Sequence, residues 1–196
     1  MPSNIILIGP MRAGKTTLGR LLATELKQPQ TVSLDILGGL YAEEAGLDPV
    51  RAAQIRAAEG PLGFLSYSRP FYLHAVERVL QDYPGRVIDF GAGHSVHDDP
   101  ADFERVRQAL APYPNVVLVL PSPDLDESAR ILRERAAHKP SQFLDEIREQ
   151  LGYDLNEYFL RHPSNFTLAK HVVYTAGRSP EETRDEILIR VTTAES

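Results

Sequence analysis

The chain has no cysteine. That excludes a disulfide scaffold, a thiolate zinc site and a cysteine nucleophile, and it fits a reducing compartment. It also lacks any long apolar run. The longest, Ile5 to Ile8 and Val116 to Leu120, fall far short of the roughly 20 residues that a membrane-spanning helix needs. The opening Met-Pro-Ser-Asn has neither the basic nor the apolar part of a signal peptide, so the cytoplasm is the expected location and no membrane partner is expected. Positive charge is in deficit. The 21 Lys and Arg against 27 Asp and Glu leave a formal net charge of −6. A nucleic-acid partner is therefore not expected, because such binders carry a basic field, although a local basic pocket remains compatible with this balance. No internal repeat or low-complexity tract is present.

What is present suits one domain spanning residues 1–196. A hydrophobic content of 42% is enough for an ordinary globular interior, and the expected state is a monomer or weak homodimer. Asn4 to Ile8 is a short apolar run ending at Gly9 and Pro10, the pattern of a strand covered on both faces. Thr16 to Lys27 follows with leucines at helical spacing. Thr31 to Leu34, Arg86 to Phe90, Val116 to Leu120 and Val172 to Tyr174 read as further strands. Between them lie helical pieces over 36–59 broken by Gly46 and Pro49, then Pro70 to Gln81, Asp102 to Leu110 and Asp124 to Arg135. Ser179, Pro180 and Glu182 form a capping box that opens a last helix. Strand and helix alternate about five times, which predicts an α/β fold with a doubly wound parallel sheet. Residues 136–170 break the rhythm: they are polar, helical and strandless, the expected place for a mobile excursion from the sheet.

Gly9, Pro10, Met11, Arg12, Ala13, Gly14, Lys15 and Thr16 match the G-x-x-x-x-G-K-[ST] phosphate-loop pattern in full, with a strand before and a helix after. The chemistry requires these residue types. Glycines let backbone amides approach the phosphates, Lys15 reaches the β- and γ-phosphates, and Thr16 offers its hydroxyl to Mg²⁺. The helix N-terminus adds partial positive charge, so Thr17 joins the expected binding set. The motif predicts nucleotide binding. It does not separate a kinase from a hydrolase, a switch protein or a synthetase.

The segment Ile6 to Ala23, ILIGPMRAGKTTLGRLLA, resembles the N-terminal signature of the shikimate kinases, a family of small P-loop kinases. Arg12 stands where that family usually has Gly. The resemblance weakens downstream but keeps order and spacing over nearly the whole chain. It implies a P-loop NTPase fold with five strands in the order 2-3-1-4-5, a helical lid near residues 136–160, ATP and Mg²⁺ as cofactors, and transfer of a phosphoryl group to the hydroxyl of a small molecule. Asp35 matches the second acid of the family's D-x-D pair, which contacts the acceptor's hydroxyls and assists deprotonation. Ser33 replaces the first, a Mg²⁺-holding acid, and Asp89 at the end of its strand is the substitute expected at the metal. For Asp35 the competing reading is a helix cap. Gly91, Ala92 and Gly93 lie where the family has a triple glycine touching the acceptor; a plain turn is the alternative. Arg133 falls near the expected adenine side, in a stretch that also holds Arg130. Lys139 falls near the catalytic lid arginine, for which a point charge is a weaker substitute. Arg161 and Arg69 fall near the arginines that bind the acceptor's carboxylate. For each of these cations a solvated helix face is the bland reading.

The ATP half of the pattern is better kept than the acceptor half, as expected of a relative with a different acceptor or of a divergent shikimate kinase. The same scaffold also suits a nucleotide or nucleoside kinase, or a non-catalytic ATP-binding regulator. Two weaker groupings remain. His94, His97, Asp98 and Asp99 have ligand-type side chains close together, with a polar loop as the ordinary reading. Tyr67, Phe71 and Tyr72 cluster near the expected acceptor side, where core packing is the commoner role.

Overall fold

The computed structural model describes residues 4–138 and 140–193. At its centre is a parallel sheet of five strands: β1 (Ile5–Ile8), β2 (Val32–Ser33), β3 (Val87–Asp89), β4 (Asn115–Leu120) and β5 (His171–Tyr174), in the order β2-β3-β1-β4-β5. The order and strand direction are those expected. Every residue of β1 and β4 is buried, which explains why both read as unbroken apolar runs rather than as alternating patterns: helices cover both faces of the sheet. α1 (Lys15–Glu25) returns from β1, with Leu18 and Leu22 in the core. α4 (Pro100–Leu110) and α5 (Leu125–Ala137) precede and follow β4. α9 (Pro180–Thr193) closes the described chain, its first turn held by the predicted box. Ser179 Oγ accepts from the Glu182 amide at 3.1 Å, and the Glu182 carboxylate accepts from the Ser179 amide at 2.7 Å.

Two helical elements fill the crossover from β2 to β3. α2 (Leu34–Glu44) begins one residue after β2, so the strand is shorter than the sequence suggested. α3 (Pro49–Asp82) runs straight through Pro70, where a separate helix was expected to begin. The real break is at Gly60, with φ 74° and ψ −167°. Glycine takes a positive φ without a Cβ penalty. Pro61 then opens the resumed helix, at a position where a missing N–H needs no partner.

The strandless stretch folds as α6 (Gln142–Leu151), α7 (Leu155–Arg161) and α8 (Pro163–Leu168). α6 lies docked on α3. The Arg56 guanidinium bonds Glu146 at 2.9 Å and sits 5.0 Å from the centroid of the Phe143 ring. The Gln150 side chain bridges the kink itself, accepting from the Leu62 amide at 3.1 Å and donating to the Glu59 carbonyl at 3.0 Å. A break in a helix frees backbone groups that need new partners, and here the neighbouring helix supplies them.

Candidate active site

The phosphate loop leaves β1 at its carboxyl end, where ligands collect in sheets of this kind. Gly9 has φ 127°, and a Cβ there would lie 2.6 Å from the Val119 carbonyl oxygen, so no side chain fits. Gly14 has φ 114° and leads directly into α1. Arg12 adopts φ 64°, a left-handed conformation that the family's usual glycine takes more easily. Lys15 is buried, and its ammonium donates to the carbonyls of Gly9 at 3.0 Å and Pro10 at 2.9 Å. Burial pushes its pKa down, while Asp89 and then Asp35 oppose that shift. It is therefore a cation folded back over its own loop beside two carboxylates.

Thr16 donates its hydroxyl to Asp89 Oδ2 at 2.7 Å. Asp89 is 1% exposed, and its Oδ1 has no hydrogen-bond partner among the described residues. Burial raises the carboxyl's pKa, and Lys15 and Thr16 pull it back. A buried carboxylate oxygen without a partner is costly. An oxygen pair from a hydroxyl and a carboxylate next to a phosphate loop suits a hard cation such as Mg²⁺, so the residues present fit that ion. Ser33, in register with Asp89 across β2 and β3, lines one cavity together with Thr16 and Asp89.

Beside the loop, Arg12, Ala13, Gly14, Thr17, Arg135, Thr175 and Pro180 line a second cavity. Arg135, which the sequence reading passed over, donates to the carbonyls of Arg12 at 3.0 Å and Ala13 at 3.3 Å and to the Thr175 hydroxyl at 3.2 Å. Arg133 pairs instead with Glu157 at 3.0 Å and borders an adjacent cavity with Arg12 and Pro140. The two arginines are two apart on α5 and so face different ways. Arg130 is an exposed partner of Glu134. The loop has one further clamp that nothing in the sequence signalled. Asn156 accepts from the Met11 amide at 2.7 Å and donates back to the Met11 carbonyl at 3.1 Å.

Asp35 stands in the first turn of α2, and the cap residue is Ser33. The capping alternative for Asp35 therefore does not describe its position. A Cβ on Gly91 would lie 2.1 Å from Asp35 Oδ1 and 2.8 Å from His94 Nδ1, so only glycine lets the carboxylate rest against this turn. Gly91 precedes a short 3-10 turn, Ala92–Ser95. His94 is buried, stacked on Tyr72 with ring centroids 4.7 Å apart, and burial pushes its pKa down to about 4. No group of three or more His, Asp or Glu side chains among the described residues is arranged to hold a metal ion, the stretch from His94 to Asp99 included. Gly93 and Tyr72 form one wall of a cavity of about 290 Å³, whose other lining includes Arg69, Asp98, Tyr153, Tyr158 and Phe159. Of the aromatics singled out from the sequence, Tyr72 lines it, whereas Tyr67 packs edge-on against Phe71.

The cations expected at the acceptor separate. Arg69 reaches the cavity but bonds Asp98 at 2.8 Å. The Asp98 carboxyl is held down at about 2, chiefly by the Tyr158 hydroxyl that donates to it and then by Arg69. Arg161, expected to bind an acceptor carboxylate, does not line this cavity. It is 41% exposed and bonds Asp126 at 2.5 Å and Glu157 at 3.0 Å, because α7 ends there with two carboxylates within reach. Lys139 lies outside the described residues.

No protein-family model matches the chain. A curated relative, shikimate kinase from Psychrobacter cryohalolentis, is 30% identical over 176 residues, covering 88% of this chain and 86% of the relative. Among solved structures, shikimate kinase from Acinetobacter baumannii in complex with shikimate superposes with a TM-score of 0.65 at 21% identity, covering 98% of this chain and 94% of that one. Shikimate kinase from Aquifex aeolicus gives 0.58 at 22% identity, covering 98% of each chain. A gluconokinase from Sinorhizobium meliloti gives 0.59 at 19% identity, covering 99% of this chain and 94% of that one.

Proposed function

Because the chain belongs to the shikimate kinase family, we propose that it is an ATP-dependent kinase that phosphorylates a hydroxyl of a small molecule. The observation that carries this reading is the convergence of Lys15, the Thr16–Asp89 pair and Asp35 at the mouth of the phosphate loop, next to the cavity bounded by Tyr72 and Gly93. ATP would lie with its phosphates over residues 9–16 and its nucleoside towards Arg135, Thr175 and Pro180. Thr16 and Asp89 would hold Mg²⁺, which when bound neutralises phosphate charge.

The acceptor enters on the side of Gly91 and Gly93. Asp35 accepts the proton of its hydroxyl as the oxygen attacks the γ-phosphorus. The new P–O bond forms as the bond from that phosphorus to the β–γ bridging oxygen breaks, and ADP leaves. Lys15 must swing from the Gly9 and Pro10 carbonyls to the phosphates, where its charge meets the charge spread over the transferred group. Closure by the helices that follow residue 139 excludes water and limits futile hydrolysis.

A coupled ADP-release assay over a panel of hydroxyl acceptors tests the reading. Asp35→Asn is expected to lower kcat by about 10²–10⁴, the usual contribution of a positioned base, and to leave ATP affinity unchanged. Lys15→Ala is expected to weaken ATP binding by at least about tenfold. ATP turnover that no acceptor accelerates, and that Asp35→Asn leaves alone, would mean a hydrolase or a regulator instead.

A further inference from the structure

The acceptor cavity holds one guanidinium and one carboxylate among its described lining residues, Arg69 and Asp98, and they are bonded to each other. Asp98 is anchored three times: by Arg69 at 2.8 Å, by the Tyr158 hydroxyl and by His162 at 3.3 Å. The second arginine that the family resemblance assigns to an acceptor carboxylate, Arg161, is taken up by Asp126 and Glu157. Among the described residues, both arginines expected to greet an anionic acceptor thus already have a carboxylate from their own chain. The rest of the wall is mostly ring and hydrocarbon, including Tyr72, Tyr153, Phe159, Leu62 and Leu65, with the Ser66 hydroxyl among them.

A carboxylate guest in this cavity faces a competitor that is covalently tethered and already ordered by two other bonds. Its effective concentration is high, and its ordering entropy is spent before the guest arrives. If Asp98 stays, the guest's charge sits beside a like charge and finds no free cation among the described lining residues, an arrangement that disfavours binding. A neutral ring with hydroxyls meets neither obstacle. Its faces pack on the aromatic walls, and its hydroxyls exchange bonds with the hydroxyl-bearing lining residues Ser66, Tyr72 and Tyr153.

We propose that Asp98 is a specificity-determining residue which fills the carboxylate position at Arg69, so that the acceptor is an uncharged ring alcohol of the sugar or cyclitol class and not a hydroxy acid. The proposal rests on the kinase reading only for the word acceptor. The preference for an uncharged guest is a property of the cavity whether or not transfer follows.

The test is therefore direct binding, by calorimetry on the full chain, with shikimate and its methyl ester as probes that differ in the charge of one group. The wild type is expected to bind the ester about tenfold more tightly than the acid. Asp98→Asn keeps an acceptor for Tyr158 but removes the negative charge that holds Arg69, and it is expected to reverse that order, with shikimate affinity rising about tenfold. Arg69→Met, which leaves Asp98 without its guanidinium, is expected to widen the wild-type preference for the ester, and it provides the test should Asp98→Asn fail to fold. Equal or tighter binding of shikimate by the wild type, an unchanged ratio in the variants, or no binding of the ester to any of them overturns the proposal. Turnover separates the two readings. An ester that binds preferentially but is never phosphorylated leaves the cavity's preference standing and sinks the kinase assignment. Shikimate phosphorylated with the higher kcat/KM does the reverse.

Discussion

At His94 burial works against charge. Its ring is enclosed, stacked on Tyr72, with Nδ1 at 3.3 Å from the Gly91 carbonyl and Nε2 without a partner among the described residues. The folded protein takes a proton there only near pH 4, against an ordinary 6.5. In that window the unfolded chain binds more protons than the folded one, so stability falls as pH drops through 6.5 towards 4, by roughly 3 kcal/mol at most. His94→Gln is expected to flatten this slope, and urea midpoints measured at several pH values across the window would show it; an unchanged slope would place the acid lability elsewhere. The residues of the phosphate loop were legible because each obeys a local rule: glycine where φ is positive, lysine and threonine at fixed offsets. Asp35 was singled out by the D-x-D resemblance and by its place after a strand, and the structure sets its carboxylate against Gly91. The places of Arg161 and Arg135 were not legible. Sequence spacing carries a charge to a region but does not say which of several carboxylates it meets, and Glu157 and Asp126 decided the matter for Arg161. Arg135→Ala, by removing three bonds to the loop and to Thr175, is expected to raise the KM for ATP several-fold with a smaller effect on kcat; steady-state kinetics at saturating acceptor would check this.

At the scale of elements, the kink in α3 and the docking of α6 are one device. The Gln150 side chain stands in for the backbone partners lost at Gly60. Gln150→Ala is expected to cost about 1 kcal/mol, because the freed groups are near solvent and water takes up part of the deficit. Gly60→Ala is expected to cost about 1–2 kcal/mol: the residue keeps a positive φ, and its Cβ meets Gln150 Nε2 at 2.6 Å. Thermal melts give both values, and limited proteolysis near α6 should quicken in both variants; cleavage unchanged in either would separate the kink from the docking. The break was misplaced from sequence because proline was taken as the start of a helix at Pro70. A proline is equally a stop, a start or a tolerated interior residue, and the choice rests on whether a neighbouring element can satisfy the groups it disturbs. Buried strands were easier: Ile5 to Ile8 and Val116 to Leu120 are short apolar runs that, set among alternating helices, suit a sheet covered on both faces.

For the molecule as a whole, the net charge of −6 and an anionic ligand are reconciled by placement. Lys15, Arg12, Arg133 and Arg135 gather around the loop and its neighbouring cavities. Binding of ATP to the folded state alone should raise the melting temperature progressively with concentration, by about 2.7 kcal/mol of stability at a hundred times Kd. Lys15→Ala is expected to lose most of that shift; a full shift in the variant would put the nucleotide elsewhere. Alternating strands and helices disclosed the sheet's class. Its strand order came only from resemblance, because pairing between distant strands leaves no mark in either strand's own residues.

That order has a consequence for how the protein comes into being. β1 lies in the middle of the sheet, and its strand partners among the described residues are not β2, the next strand in the chain, but the distant β3 and β4. As the polypeptide emerges from a ribosome, Ile5 to Ile8 must wait, unpaired and wholly apolar, until Val87 and then Asn115 have been made. The clamp on Met11 waits longer, for Asn156. Such non-local pairing folds slowly and leaves an adhesive segment uncovered in the meantime. An apolar strand in that position needs shielding until its partners in β3 and β4 are made.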